Sequence, residues 1–195
     1  MAIDFDAPYR DADPWGYQGR WYEQRRRQLI ASVLPQRALG SVLEMGCANA
    51  LIAQQLADRA QYWLGVDISV KAIEIASQTL APYPHVHLMQ ADITQCWPRG
   101  SFDTYLMCDM GYYLPPAALG VIARHIAYSA RPSTVLLAAH WRHPFDQVTT
   151  PTEQVHRILS SFSGLTSLAR YTDEDLLIDV WTGSGSSVAR TEGFL

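Results

Sequence analysis

The sequence predicts an α/β protein: a doubly wound, mostly parallel sheet with helices on both faces. Three observations carry this. Short apolar runs alternate with helical periodicity along the chain. The first four runs each end in a polar or small residue, as strands do at the ligand-binding edge of such a sheet. The run at 134–139 is apolar without alternation, as a strand buried on both faces must be.

The elements follow in order. Residues 41–45 form a short strand that stops at Gly46. Residues 51–59 read as a helix with Leu51, Ile52 and Leu56 on its buried side. The strand at 62–66 ends at Asp67, and Ser69 is placed to cap a helix running to about Leu80. Pro82 and Pro84 end that segment. Residues 85–90 and 102–108 are the third and fourth strands. Pro115 and Pro116 open a helix whose stripe is Leu119, Ile122, Ala123, Ile126 and Ala127. The fifth strand, 134–139, precedes Thr150-Pro-Thr-Glu153, a capping box with proline at the first helical position. That helix carries Val155, Ile158, Leu159 and Phe162 inward. Runs at 165–171 and 175–182 have no helix between them and pair antiparallel. The expected fold is thus a Rossmann-like sheet of seven strands.

A chain of 195 residues is read as one domain. An arm and helix occupy 1–38, the core 39–182, and a loose Gly/Ser-rich tail 183–195. The first 19 residues show no period and are expected to lie over the domain as an arm or lid. Apolar residues make up 48% and charged residues 17%, which excludes intrinsic disorder. A net charge of −4 argues against a nucleic-acid partner, because such binding rests on neutralising phosphates. No run reaches the roughly 18 apolar residues of a membrane span, and the start lacks a signal-peptide pattern. Cys47, Cys96 and Cys108 are sparse and odd in number. They are expected to be free thiols in a reducing, cytoplasmic setting, with no metal site.

The chemistry is expected at the strand ends. Glu44-Met-Gly46-Cys47-Ala48 forms a tight turn of small residues. Asp67 follows Gly46 by 21 residues, the interval at which a carboxylate accepts hydrogen bonds from ribose hydroxyls. Asp92 with Ile93 and Cys108 with Asp109 end the third and fourth strands. This order points to a nucleotide-type cofactor. A dinucleotide turn needs G-x-G-x-x-G, of which only Gly46 is present; Ala48 and Ala50 stand where further glycines would be sought. Glu44 would repel a pyrophosphate, whereas a carboxylate suits the sulfonium and ammonium of S-adenosylmethionine (SAM).

Glu44-x-Gly46-x-Ala48, Asp67 and Asp92 resemble the cofactor motifs of class I SAM-dependent methyltransferases. The stretches DPWG at 13–16, WYEQRR at 21–26, LEMGCA at 43–48 and DMGYYL at 109–114 resemble the nodulation protein S (NodS) methyltransferases. The resemblance spans about 5–140; HWR at 140–142 and EQVH at 153–156 look more like uncharacterised bacterial relatives. It implies that Glu44 and the Gly46–Cys47–Ala48 turn hold the methionine part of SAM. Asp67 would bind the ribose, Asp92 with Ile93 would face the adenine, and Ile68 belongs to the cofactor set. Cys108, Trp21 and Arg25 join the cofactor set. Relatives have glycine where Asn49 and Ala50 stand, which predicts a less open turn.

The implied acceptor is small and polar, such as the amine of a deacetylated amino sugar or oligosaccharide. Asp109 and His140, at the ends of the fourth and fifth strands, are the candidates to orient or deprotonate it. Tyr112, Tyr113, Trp15 and His156 are the candidate substrate contacts. The run 25–27 is read as a solvated face or as salt bridges to Glu23 and neighbours, not as a phosphate site. Two other readings stay open: a non-catalytic SAM-binding regulator and an NAD-dependent oxidoreductase. Oligomeric state is not legible.

Overall fold

A computed structural model describes residues 3–10 and 13–195. Positions 1, 2, 11 and 12 of the expected arm lie outside the described residues. Helix α1 is Trp21–Val33. There follow β1 (Gly40–Met45), α2 (Leu51–Leu56), β2 (Ala60–Asp67), α3 (Val70–Thr79), β3 (Val86–Gln90) and β4 (Thr104–Cys108). The chain continues through α4 (Pro116–Ser129), β5 (Val135–Trp141), α5 (Thr152–Phe162), β6 (Thr166–Thr172), β7 (Leu176–Thr182) and α6 (Val188–Thr191).

The strands form one seven-stranded sheet in the order β3-β2-β1-β4-β5-β7-β6. β1 to β5 are parallel; β7 pairs antiparallel with both β5 and β6. The order reverses between β1 and β4, which makes that gap the topological switch point where ligands bind in open α/β sheets. Alternation along the strands divides the core. Val42, Leu106, Cys108 and Leu137 face one apolar layer, and Leu43, Met45, Tyr105 and Met107 the other. Both faces are therefore covered, as the continuous apolar strands require.

Several local expectations yield to tertiary partners. β4 begins at Thr104 rather than 102. The expected capping box does not form, because Pro151 is itself the N-cap of α5. Thr150 Oγ1 instead donates to the Leu114 carbonyl at 2.6 Å, and Glu153 accepts from Arg142. Phe162, at the last position of α5, is half exposed instead of packed. The tail carries α6, capped by Ser187, whose hydroxyl accepts from Arg190 N.

Candidate functional site

A cavity of about 660 Å³ lies over the C-terminal ends of β1 to β4. Glu44, on β1, is 1% exposed and accepts from Trp63 Nε1 at 3.1 Å. Burial pushes its carboxyl up to about 8, against the pull of that hydrogen bond. Gly46 then turns the chain with φ +73°, and a Cβ there would approach the Met110 side chain to 2.8 Å. The turn continues through Ala48 (φ 49°) and Ala50 (φ 61°). Alanine in this left-handed region costs about 1–2 kcal/mol per residue. The chain thus keeps a glycine-type path with alanines, and Ala48 and Asn49 line the cavity.

Asp67 at the end of β2 supports this strained turn. Its Oδ2 accepts from Ala48 N and its Oδ1 from Ser69 N, both at 2.9 Å. Burial raises its pKa, opposed by those amides. Ser69 caps α3 by accepting from Ala72 N and also donates to Asp6 Oδ1 at 2.6 Å. That contact ties the N-terminal arm over the rim. Asp92 accepts from the amide and hydroxyl of Thr94, which orders the loop after β3.

Asp109, at the end of β4, has φ +50° and is engaged at both oxygens. Oδ1 accepts from Trp141 N at 2.9 Å, and Oδ2 pairs with Arg26. Arg26, buried on α1, also pairs with Glu23 at 2.8 Å. Burial works to lower the Arg26 pKa, but the Asp109 and Glu23 carboxylates outweigh it and hold the guanidinium charged.

The structure brings most of the expected residues to one cavity. Glu44, Gly46, Cys47, Ala48, Asp67 and Ile68 line it from β1, β2 and their turns. Asp92, Ile93, Cys108, Asp109, Tyr113 and Trp15 complete the set. Others are not brought there. Trp21 is 66% exposed, away from the cavity. Arg25 points to Asp173 and Tyr171 on the β6–β7 hairpin. Successive residues on a helix turn by about 100°, so its neighbour Arg26 takes the inward place. Arg26 is correspondingly not part of a solvated face. Tyr112 is buried behind the wall, edge-on to His140.

His140 and His156 also lie behind the wall, both nearly or wholly buried. Gly111 N donates to His140 Nε2 at 3.0 Å, so that nitrogen carries no proton. His140 Nδ1–H must then donate to His156 Nε2 (2.9 Å), and His156 Nδ1–H to Asp179 Oδ2 (2.8 Å). Arg170 donates to both Asp179 oxygens. Burial, then the neighbouring His156, holds the His140 pKa well below its usual range. This relay is neutral at His140 and anchors the turn carrying Tyr113. Neither histidine lines the cavity.

Sequence reasoning missed Arg26, Tyr9 and Tyr17, which line the cavity. The signal for Arg26 was its i, i+3 spacing from Glu23. For the tyrosines there was no periodic signal: Tyr9 lies in a 3-10 turn, Ala7–Arg10, too short to show one.

The raised Glu44 pKa makes a prediction for the cofactor-free protein. A proton held in the folded state up to about pH 8, against 4.5 for the unfolded group, favours folding most below pH 4.5. That contribution is lost as pH rises through 8. Glu44→Gln removes the titration. Its stability relative to the parent should therefore rise between pH 5 and 8.5, by on the order of a few kcal/mol. Urea unfolding at several pH values measures this; a pH-independent difference refutes the assignment.

The switch-point cavity, the acid at each successive strand end and the antiparallel seventh strand define the class: the fold is that of the SAM-dependent methyltransferases. A family model described as nodulation protein S (NodS) matches residues 6–125, and the chain belongs to that family. Family membership implies S-adenosylmethionine as the cofactor. Nodulation protein S of Sinorhizobium fredii is 28% identical over 107 residues, covering 54% of this chain and 50% of that protein. Its counterpart from Azorhizobium caulinodans is 30% identical over 103 residues, covering 52% and 49%. The match spans about half the length of these curated relatives. A crystal structure from Pseudomonas syringae, of a protein assigned to the methyltransferases without a stated substrate, is 33% identical. It has a TM-score of 0.74 and covers 84% of this chain and 99% of that one. The N-methyltransferase NodS from Bradyrhizobium japonicum WM9, crystallised with S-adenosylhomocysteine, shares the fold. Its TM-score is 0.80 at 23% identity, covering 91% and 97%.

Proposed function

We propose that this chain transfers a methyl group from SAM to the amine of a small polar acceptor, an amino sugar being the first candidate. The observation that carries this reading is the convergence of Glu44, Asp67 and Asp92, from three successive strand ends, on one cavity. The donor set fits the group: an acid for the ammonium end, an acid for ribose hydroxyls and apolar Ile68 and Ile93 for the base. Bound SAM supplies an electrophilic methyl on a sulfonium.

The chain's task is then alignment and exclusion of water. Glu44 holds the cationic end and releases its own proton as that charge arrives. Asp67 fixes the ribose while bracing the Ala48 turn. The arm, pinned through Asp6 to Ser69, closes the mouth. Asp109 is committed to Arg26 and Trp141 N, so it positions the rim and does not act as a free base. His140 is committed as well. The acceptor therefore enters as the free amine, its proton already lost to water. One domain suffices for these roles. The three free cysteines support a reducing, cytoplasmic setting, and no helix among the described residues is long and apolar enough to cross a membrane.

Calorimetric titration with S-adenosylhomocysteine and with NAD, followed by mass analysis of SAM reactions with glucosamine and chitosan oligomers, tests the reading. S-adenosylhomocysteine should bind, NAD should not, and an amine should gain one methyl. Binding without transfer to any amine would identify a SAM-binding regulator instead.

A further inference from the structure

The arm contributes more than a cover. Tyr9 and Trp15 meet edge to face with ring centroids 5.4 Å apart, and Trp15 continues to Tyr17 at 5.3 Å. From the same arm Phe5 meets Tyr113 of the core edge-on at 5.3 Å. All five rings line the cavity. Burial raises the pKa of Tyr9, Tyr17 and Tyr113, so these phenols stay neutral. One guanidinium already uses this surface: Arg26 lies 5.7 Å from the Tyr17 ring centroid.

Two acids beside these rings have partners other than the acceptor: Asp109 serves Arg26 and Trp141 N, and Asp67 serves two amides and, in the methyl-transfer reading, the ribose. The arm's rings and Tyr113 are thus left as an aromatic part of the cavity lining. Such a surface matches a cation.

We propose that Tyr9, Trp15, Tyr17 and Tyr113 form an aromatic cage that receives the acceptor's amine and stabilises it as the methylated ammonium. This rests on the methyl-transfer reading. In the reaction the nitrogen lone pair forms the N–C bond while the C–S bond breaks. The sulfur keeps the bonding pair and becomes a neutral thioether. The positive charge thus moves from sulfur to nitrogen, and no other reactant is needed. A surface that attracts positive charge where it develops lowers the barrier. Rings do this without presenting a nucleophile to the reactive methyl, which an unpaired carboxylate would.

The test uses the full chain saturated with S-adenosylhomocysteine, titrated with choline and with its neutral isostere 3,3-dimethylbutan-1-ol. Choline should bind at least about threefold more tightly, and Trp15→Leu should weaken it about three- to thirtyfold. Tyr17→Phe keeps the ring and should retain choline affinity, while Tyr17→Leu should lose it. Equal affinity for the two isosteres, or choline affinity unchanged in both leucine variants, overturns the cage. Failure of S-adenosylhomocysteine to bind is seen before choline is added. That outcome overturns the methyl-transfer reading itself, and the cage with it.

Discussion

Arg26→Ala is expected to destabilise the protein by about 3–5 kcal/mol, the usual result of removing one partner from a buried ion pair. Arg26 is the only positive charge in contact with two acids, Glu23 and Asp109, among the ion pairs of the described residues. Without it, Glu23 and Asp109 lose the buried charge they share. For a chain of this size the loss corresponds to roughly 6–20 °C in Tm. Arg26→Lys keeps the charge but loses the planar fork that bridges two acids, so it should fall between the two. Burial raises the Glu23 pKa even with Arg26 present. Acid should therefore protonate Glu23 readily in the alanine variant, and the deficit should shrink as pH falls. Thermal unfolding at pH 5 and pH 8 measures both effects. A loss below about 1 kcal/mol at pH 8 would mean that the pair is not closed in solution.

Asp67→Ala should weaken S-adenosylhomocysteine binding by about a hundredfold or more. Two hydrogen bonds to a carboxylate are worth about 1.5–3 kcal/mol each, and the ribose offers two hydroxyls. The same substitution leaves Ala48 N and Ser69 N without their acceptor. The left-handed turn at Ala48 and the start of α3 then lose their shared brace, which adds about 1–3 kcal/mol of instability. Asp67→Asn retains one acceptor oxygen and separates the two effects: it should restore more stability than affinity. Calorimetry on the folded variants decides. Affinity within threefold of the parent would place the ribose elsewhere.

How much was legible follows from the kind of information each residue carries. The strand ends near Glu44, Asp67, Asp92 and Asp109 were readable because a short apolar run that stops at a glycine or an acid is a local pattern. The burial of β5 on both faces was readable too, since its run is continuously apolar; which layer each side chain enters appears only in the structure. The capping box at 150–153 was a local pattern as well, yet it failed. Thr150 bonds Leu114 O and Glu153 pairs with Arg142 instead, while Pro151 takes the N-cap position. Local hydrogen bonds of about 1 kcal/mol lose easily to tertiary ones.

His140 shows the boundary most clearly. Leu136 and Ala138 face the layer that contains α5, so alternation already directed His140 the same way. What the sequence could not state was that His156 would stand there to meet it, with Asp179 of β7 behind. Likewise the run 25–27 declared three arginines on a helix without saying which one faced inward. The amino-acid sequence by itself determined the seven-stranded frame, the acidic strand ends and the tight turn after β1, because these depend on spacing within short segments. Only the tertiary structure decided that Arg26 and not Arg25 reaches the cavity, that His140 packs behind its wall against His156, and that the arm's rings line the site. Those outcomes depend on which surfaces meet across long separations in sequence, where burial and charge pairing act and local pattern does not.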